Sequence, residues 1–142
     1  MSALLYLDTS AAIKRAFRED ESLVLRDAFT EAIERGDRFV TSALTVVELA
    51  RGARRRIEDE SLASLKGAEL AALGDLAIAP LAPPIVESAR IIGPPVLRSL
   101  DAIHLATAAA IGAQELWTYD DRLADAAEGM GIPSRMPGRD RS

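Results

Sequence analysis

Four acidic residues stand where an α/β chain most readily presents a carboxylate to a ligand. Asp8 follows the apolar run Leu4-Leu5-Tyr6-Leu7, and Asp120 follows Leu116-Trp117-Thr118-Tyr119. Both runs read as buried parallel strands, and in open α/β sheets ligands bind beyond the carboxyl ends of the strands. Glu48 falls two turns into a helix after another strand, and Asp101 opens a helix after a proline-rich loop. If the strands are parallel, all four acids can converge at one edge of the sheet. Carboxylates a few ångströms apart repel, and one of them is pushed toward its neutral form. A divalent cation removes that conflict. Mg²⁺ and Mn²⁺ are hard ions that favour oxygen ligands, and Mg²⁺ typically takes one or two carboxylates plus water and substrate phosphate. Such a set can activate water and stabilise charge on a phosphoryl group, so it suits phosphodiester hydrolysis.

Each acid also has an ordinary structural reading. Asp8 can cap the helix that follows it. Asp101 can complement a helix dipole from the first turn, and Asp120 and Asp121 can do the same for the last helix. Thr45-Val46-Val47-Glu48 matches a capping box. Yet Glu48 lies among Val46, Val47, Leu49 and Ala50, which read as buried. A glutamate is seldom buried without a partner. The argument for chemistry therefore rests on the set of four.

The elements that must position them alternate along the chain. Strands are predicted at 4–7, 38–41, 76–79 and 116–119, with a short edge strand near 132–134. Helices are predicted from Thr9 to Phe17, Ser22 to Arg35, after Ser42 through Arg51, Asp59 to Leu73, Pro83 to Ile92, Asp101 to Ile111 and Asp120 to Glu128. In the second helix Leu25, Phe29 and Ile33 recur every four positions. Gly36, Gly74, Gly93 and Gly112 read as stops. Alternation of this kind implies a parallel sheet with helices on both faces. No internal repeat or linker divides the chain, so residues 1–136 are expected to form one domain and 137–142 a disordered tail.

Composition narrows the function classes. There is no cysteine, which excludes disulfides, thiolate metal sites and cysteine nucleophiles. The first residues carry no basic stretch and no long apolar run, so no signal peptide is expected. No stretch approaches the ~20 apolar residues of a membrane span, and a cytoplasmic protein is expected. The net charge of −5 runs against nucleic-acid binding, which usually goes with a basic balance. Carboxylates gathered in one site make a chain look acidic, however, and a bound cation reverses the sign of that site.

Four segments together resemble the PIN-domain nucleases, and among them the toxins of VapBC toxin–antitoxin pairs. They are Leu5-Tyr6-Leu7-Asp8-Thr9-Ser10, Val46-Val47-Glu48-Leu49-Ala50-Arg51-Gly52, Leu100-Asp101-Ala102-Ile103-His104-Leu105-Ala106-Thr107-Ala108, and Trp117-Thr118-Tyr119-Asp120-Asp121-Arg122-Leu123. Their order and spacing fit from Met1 to Pro133, and the third is the most specific. The resemblance implies a three-layer α/β/α PIN-like domain with a central, mostly parallel sheet of 4–5 strands. It implies a Mg²⁺- or Mn²⁺-dependent endoribonuclease acting on structured RNA. It further implies a VapB-like antitoxin as partner and a homodimer. By position, Asp8, Glu48, Asp101 and Asp120 inherit the catalytic and metal-binding role. Thr9, Ser10 and Thr118 inherit the orienting role behind them. Asp121, beside the fourth acid, is read as a helix cap.

Other residues are weighed on the same footing. His104, the only histidine, lies three positions after Asp101. It can be a general base, but a packed, hydrogen-bonded histidine is the preferred reading. Arg51, Arg54, Arg55 and Arg56 form a basic run after Glu48. They can be a solvated helix face, a set of phosphate contacts or an antitoxin contact. Trp117 is assigned to the core. Competing functions are a haloacid-dehalogenase-like phosphatase with Asp8 as nucleophile, a receiver-like signalling domain, and an inactive PIN module that only binds RNA or protein. The first needs an acid where Ser10 stands. The second needs an aspartate after the third strand, near Ala79-Pro80.

Overall fold

A computed structural model describes residues 2–139. Strand β1 spans Leu4–Leu7 and is followed by helices α1 (Thr9–Ala16) and α2 (Ser22–Glu34). Strand β2 (Arg38–Ser42) leads into α3 (Ala43–Arg56) and α4 (Leu62–Leu73), then β3 (Leu76–Ala79). Helices α5 (Pro83–Ala89) and α6 (Ser99–Ala110) precede β4 (Glu115–Trp117), α7 (Asp121–Gly129) and β5 (Ser134–Arg135). The five strands form one sheet in the order β3-β2-β1-β4-β5, with every pairing parallel. The first strand is thus at the centre, flanked by β2 and β4.

The pleat of β1 divides the core. Leu5 and Leu7 point to one face, where they pack with Ala11, Ala12, Leu25, Phe29, Phe39 and Trp117. Tyr6 points to the other, beside Leu105, Ala108, Leu116 and Leu123. Alternation on a strand buried on both faces needs no polar positions, which is why Leu4–Leu7 reads as a continuous apolar run. Phe29 stacks on Phe39 with centroids 4.1 Å apart, and Phe39 meets Trp117 edge-on at 4.9 Å. Trp117 is fully buried, as its assignment to the core required. In α6, Ala108 joins the second core cluster, and Ala102 and Ala106 are buried as well. These small side chains let the helix approach the strands closely.

Several boundaries move from their predicted places. Helix α4 begins at Leu62 because Ser61 caps it, accepting from Ser64 N at 3.2 Å, three residues after the predicted start at Asp59. Helix α5 ends at Ala89, short of Ile92. Helix α6 opens at Ser99, which puts Asp101 inside the first turn. The last strand is Ser134–Arg135, slightly later than expected. Gly74 ends α4 with an ordinary φ of −56, and Asp75 takes the left-handed conformation instead, at φ 67. Aspartate tolerates that region better than most residues.

The expected tail is anchored as far as Arg139. Tyr119 Oη donates to Pro137 O at 2.7 Å. Arg139 reaches back to Tyr119 O at 3.0 Å and to Glu21 Oε1 at 2.8 Å. Charge pairing thus overrides the loop-like composition of Pro137–Arg139, while residues 140–142 lie outside the described residues.

Candidate active site at the carboxyl edge of the sheet

Strands β1 and β4 run side by side with Leu7 opposite Trp117. Asp8 and Thr118 therefore leave the sheet at the same edge, and Asp8 N donates to Trp117 O at 3.1 Å. Asp8 is the N-cap of α1, in extended backbone, with its side chain accepting from Ala11 N. It is only 3% exposed. Its Oδ1 accepts from Ser10 Oγ at 2.7 Å and Ala11 N at 3.0 Å, and its Oδ2 from Thr118 Oγ1 at 2.5 Å. Burial pushes the Asp8 carboxyl up, against the opposing pull of His104, Thr118, Ser10 and Ala11. The buried carboxylate is thus held in one orientation by three donors.

Thr118 joins this carboxylate to the next. The same Oγ1 accepts from Asp120 N at 3.0 Å. Asp120 caps α7, its Oδ1 accepting from Arg122 N at 2.9 Å and Leu123 N at 3.3 Å. Among the described residues nothing donates to its Oδ2. Asp121 is exposed in the first helical turn. The expectation that Asp121 is the cap is therefore corrected: Asp120 is the cap and the inward acid. Extended backbone at position 120 is what lets a cap side chain turn back onto its own helix.

Asp101 differs from both. It is half-buried in the first turn of α6 and accepts no hydrogen bond among the described residues. Burial pushes its carboxyl up, and repulsion from Asp120, then from Asp8 and Glu48, pushes the same way, with His104 opposing. The other three predicted acids thus all act electrostatically on Asp101.

Glu48 approaches from α3. Its Oε1 accepts from Thr9 Oγ1 at 2.6 Å and lies 2.9 Å from His104 Nε2. Burial alone would raise its carboxyl, but His104 and Thr9 outweigh it and hold Glu48 below the usual carboxylate range. Its surroundings differ from the sequence reading. Val47 is 57% exposed and the Glu48 side chain 26% exposed, so this part of α3 reaches solvent and is not core. His104 is the buried member, at 3%. Its other nitrogen, Nδ1, sits 2.7 Å from Tyr6 Oη. Sequence reading anticipated a packed histidine but not its pairing with Glu48 or Tyr6. It also missed Thr41 and Thr45, which hydrogen-bond to each other at 2.7 Å beneath Thr9. Spacing along α6 could place His104 near Asp101; nothing local could place it against α3.

The donor set is all oxygen, and Asp101 is a half-buried carboxylate whose charge a cation would relieve. That chemistry fits a hard divalent ion. Among the described residues no three of these side chains form a ready-made cage. Pairs of acids with water completing the shell are the arrangement the donors suit, which is the habit of Mg²⁺. The basic run after Glu48 divides. Arg54 is bonded to Glu60 at 3.3 Å, and Arg56 folds back to Gly52 O at 3.1 Å and over Phe17. Arg51 and Arg55 extend from exposed positions of α3.

A model of the PIN domain matches residues 5–129. This range contains all four acids. The chain is 41% identical to ribonuclease VapC35 of Mycobacterium tuberculosis over 142 residues, covering 97% of this chain and all of that one. It is 37% identical to ribonuclease VapC47 of the same organism over 137 residues, covering 95% and 98%. The chain belongs to the PIN domain family, in its VapC group. Solved structures agree on the fold of this VapC-type domain. The toxin VapC20 of Mycobacterium tuberculosis, described as cleaving the sarcin–ricin loop, superposes with a TM-score of 0.65 at 17% identity, covering 86% of this chain and 94% of that one. A toxin–antitoxin complex from Klebsiella pneumoniae gives 0.63 at 23% identity, covering 96% and 98%. Among the described residues of the VapC-type chain, no helix is long and apolar enough to cross a membrane.

Proposed function

We propose that this chain is the ribonuclease toxin of a toxin–antitoxin pair, cleaving structured RNA with Mg²⁺ or Mn²⁺ held among Asp8, Glu48, Asp101 and Asp120. One observation carries the reading: Asp101 is half-buried, accepts no hydrogen bond among the described residues, and is pushed up by burial and by the other acids. Whole-length relatives named as VapC ribonucleases support the activity. Structural neighbours solved as toxin–antitoxin complexes support a VapB-like antitoxin as partner. A cytoplasmic homodimer completes the proposal.

The bound cation would supply charge neutralisation at the phosphoryl group and a more acidic water. The chain's own residues do the positioning. Ser10, Ala11 N and Thr118 fix both oxygens of Asp8 from behind. The cap bonds fix Asp120 Oδ1 and leave Oδ2 for the site. Glu48, kept ionised by its partners, is suited to orient the attacking water. Arg51 and Arg55 would hold the RNA backbone as point contacts, with Arg54 shared between RNA and Glu60.

The test is incubation of the purified protein with total RNA in Mg²⁺, Mn²⁺ or chelator, followed by mapping of new ends. Discrete new ends with either ion, and none with chelator, are expected. Cleavage that persists in chelator would overturn the metal-dependent mechanism. No new ends under any condition would favour a module that only binds.

A further inference from the structure

The acids account for the chemistry but leave one buried group unused. His104 is 3% exposed, reaches no substrate-accessible surface, and makes contacts through both ring nitrogens. A histidine packed only for volume would not need two polar partners on two other elements. Tyr6 lies on the central strand and Glu48 on α3, 98 and 56 residues away from His104 in sequence.

Proton accounting fixes the direction of the contact with Glu48. Glu48 is a carboxylate and can only accept, so the 2.9 Å contact needs a hydrogen on His104 Nε2. Thr9 has one hydroxyl hydrogen, and it is given to Glu48 Oε1 at 2.6 Å. The weaker 3.3 Å contact between Thr9 Oγ1 and Nε2 is then a shared arm of the same N–H. At the other ring nitrogen, Nδ1 and Tyr6 Oη lie 2.7 Å apart, which holds the imidazole in the orientation that aims Nε2 at Glu48.

The consequence falls on Glu48. Its Oε1 is occupied by two donors from the protein side, and among the described residues nothing donates to its Oε2. We propose that His104, aligned by Tyr6, is a positioning residue that ties back Glu48 Oε1 so that only Oε2 is left to serve the other acids' site. Glu48 then acts through a single oxygen, as one ligand or one water-orienting acceptor. Free rotation would let it chelate through both oxygens or swing toward the exposed Val47 side of α3. This inference rests on the ribonuclease reading for its kinetic consequence but not for its geometry.

Two measurements separate those parts. His104 is the only histidine of the chain, so ¹⁵N-imidazole NMR reads it without assignment. The expected spectrum of the intact protein shows a protonated, hydrogen-bonded Nε2. In Tyr6→Phe the Nδ1 signal should shift as its hydrogen bond is lost. A ring without a proton on Nε2 overturns the proposal whether or not RNA is cleaved. Kinetically, His104→Leu keeps the bulk and removes the donor; it should lower kcat about 10–100-fold with KM for RNA little changed, the range for lost outer-shell partners. His104→Gln, which can still donate to Oε1, should recover most of that loss. Placed on Glu48→Ala, His104→Leu should cost nothing more. A further loss of similar size there would mean that His104 acts on the fold and not through Glu48. If His104→Leu does not fold, Tyr6→Phe and the spectrum of the intact protein still decide the question.

Discussion

Thr118 Oγ1 donates to Asp8 Oδ2 at 2.5 Å across 110 residues of chain, and the same oxygen accepts the backbone N–H of Asp120. One hydroxyl thus ties together two helix-capping acids that follow different strands. It can do so because β1 and β4 are parallel neighbours whose ends are level, with Leu7 opposite Trp117. Thr118→Val keeps the shape and removes both bonds. The variant is expected to lose about 1.5–3 kcal/mol of stability, the usual value of a hydrogen bond to a charged group. Mn²⁺ affinity should fall about 10–100-fold. Thermal melts and metal titration on the same samples check both.

Asp8→Asn preserves size, and a carboxamide oxygen can still accept from Ser10 and Ala11. The fold is expected to persist by circular dichroism. RNA cleavage should fall at least about a hundredfold, the upper end of what even outer-shell partners cost. Full activity in a folded Asp8→Asn protein would remove Asp8 from the chemistry.

Asp101 predicts an effect of opposite sign. Its folded-state carboxyl is raised, by burial first and then by Asp120, with Asp8 and Glu48 adding to it. A raised folded value means that the stability linked to this group is present below its ordinary value of 3.8 and lost as pH rises through the folded value. At neutral pH in chelator the ionised group is therefore a burden. Asp101→Asn should melt higher than the parent in chelator. The parent should gain more than the variant on adding Mn²⁺, since only a bound ion stabilises by mass action. Equal melting of the two proteins with and without the ion would refute this account.

Glu21 gives the ordinary acid-limb case. Lys14 Nζ lies 2.7 Å from its Oε2 and Arg139 Nη2 lies 2.8 Å from its Oε1. Lys14 foremost, then Arg139, hold its carboxyl below the usual range. That stabilisation is present above the ordinary value of 4.5 and lost as pH falls through the lower folded value. Glu21→Gln should thus melt below the parent at neutral pH. The gap should close as pH is lowered beneath 4.5. Melting temperature against pH for both proteins reads this directly.

Arg51 and Arg55 test the RNA path. Arg54 and Arg56 are partly spent on Glu60 and on Gly52 O. Alanine at 51 and 55 should raise KM for RNA more than it lowers kcat. Binding should also become less salt-sensitive, by roughly 0.7 in the log–log slope per lost phosphate contact to a single strand. An unchanged slope would assign these arginines to another partner.

The sequence alone determined the alternation of strands and helices, Asp8 at the end of the first strand, and the assignment of Trp117 to the core. These are local properties: a run of apolar residues, a cap residue, a glycine after the last turn. Strand β4, by contrast, ends at Trp117, three residues before Asp120 and short of the predicted 116–119. Boundaries drifted where a stronger cap lay further on, as at Ser61, or where a helix began before the expected residue, as at Ser99. What only the tertiary structure decided is which groups meet. Whereas the cap at Asp120 in place of Asp121 follows from the local backbone there, the approach of Glu48 from α3 to His104 and the Tyr6–His104–Glu48 chain depend on the order β3-β2-β1-β4-β5. So does the anchoring of Arg139 on Glu21 and Tyr119. A hydrogen bond has no sequence period when its partners are a hundred residues apart. The parallel register brings them together, and burial of those partners makes each bond matter.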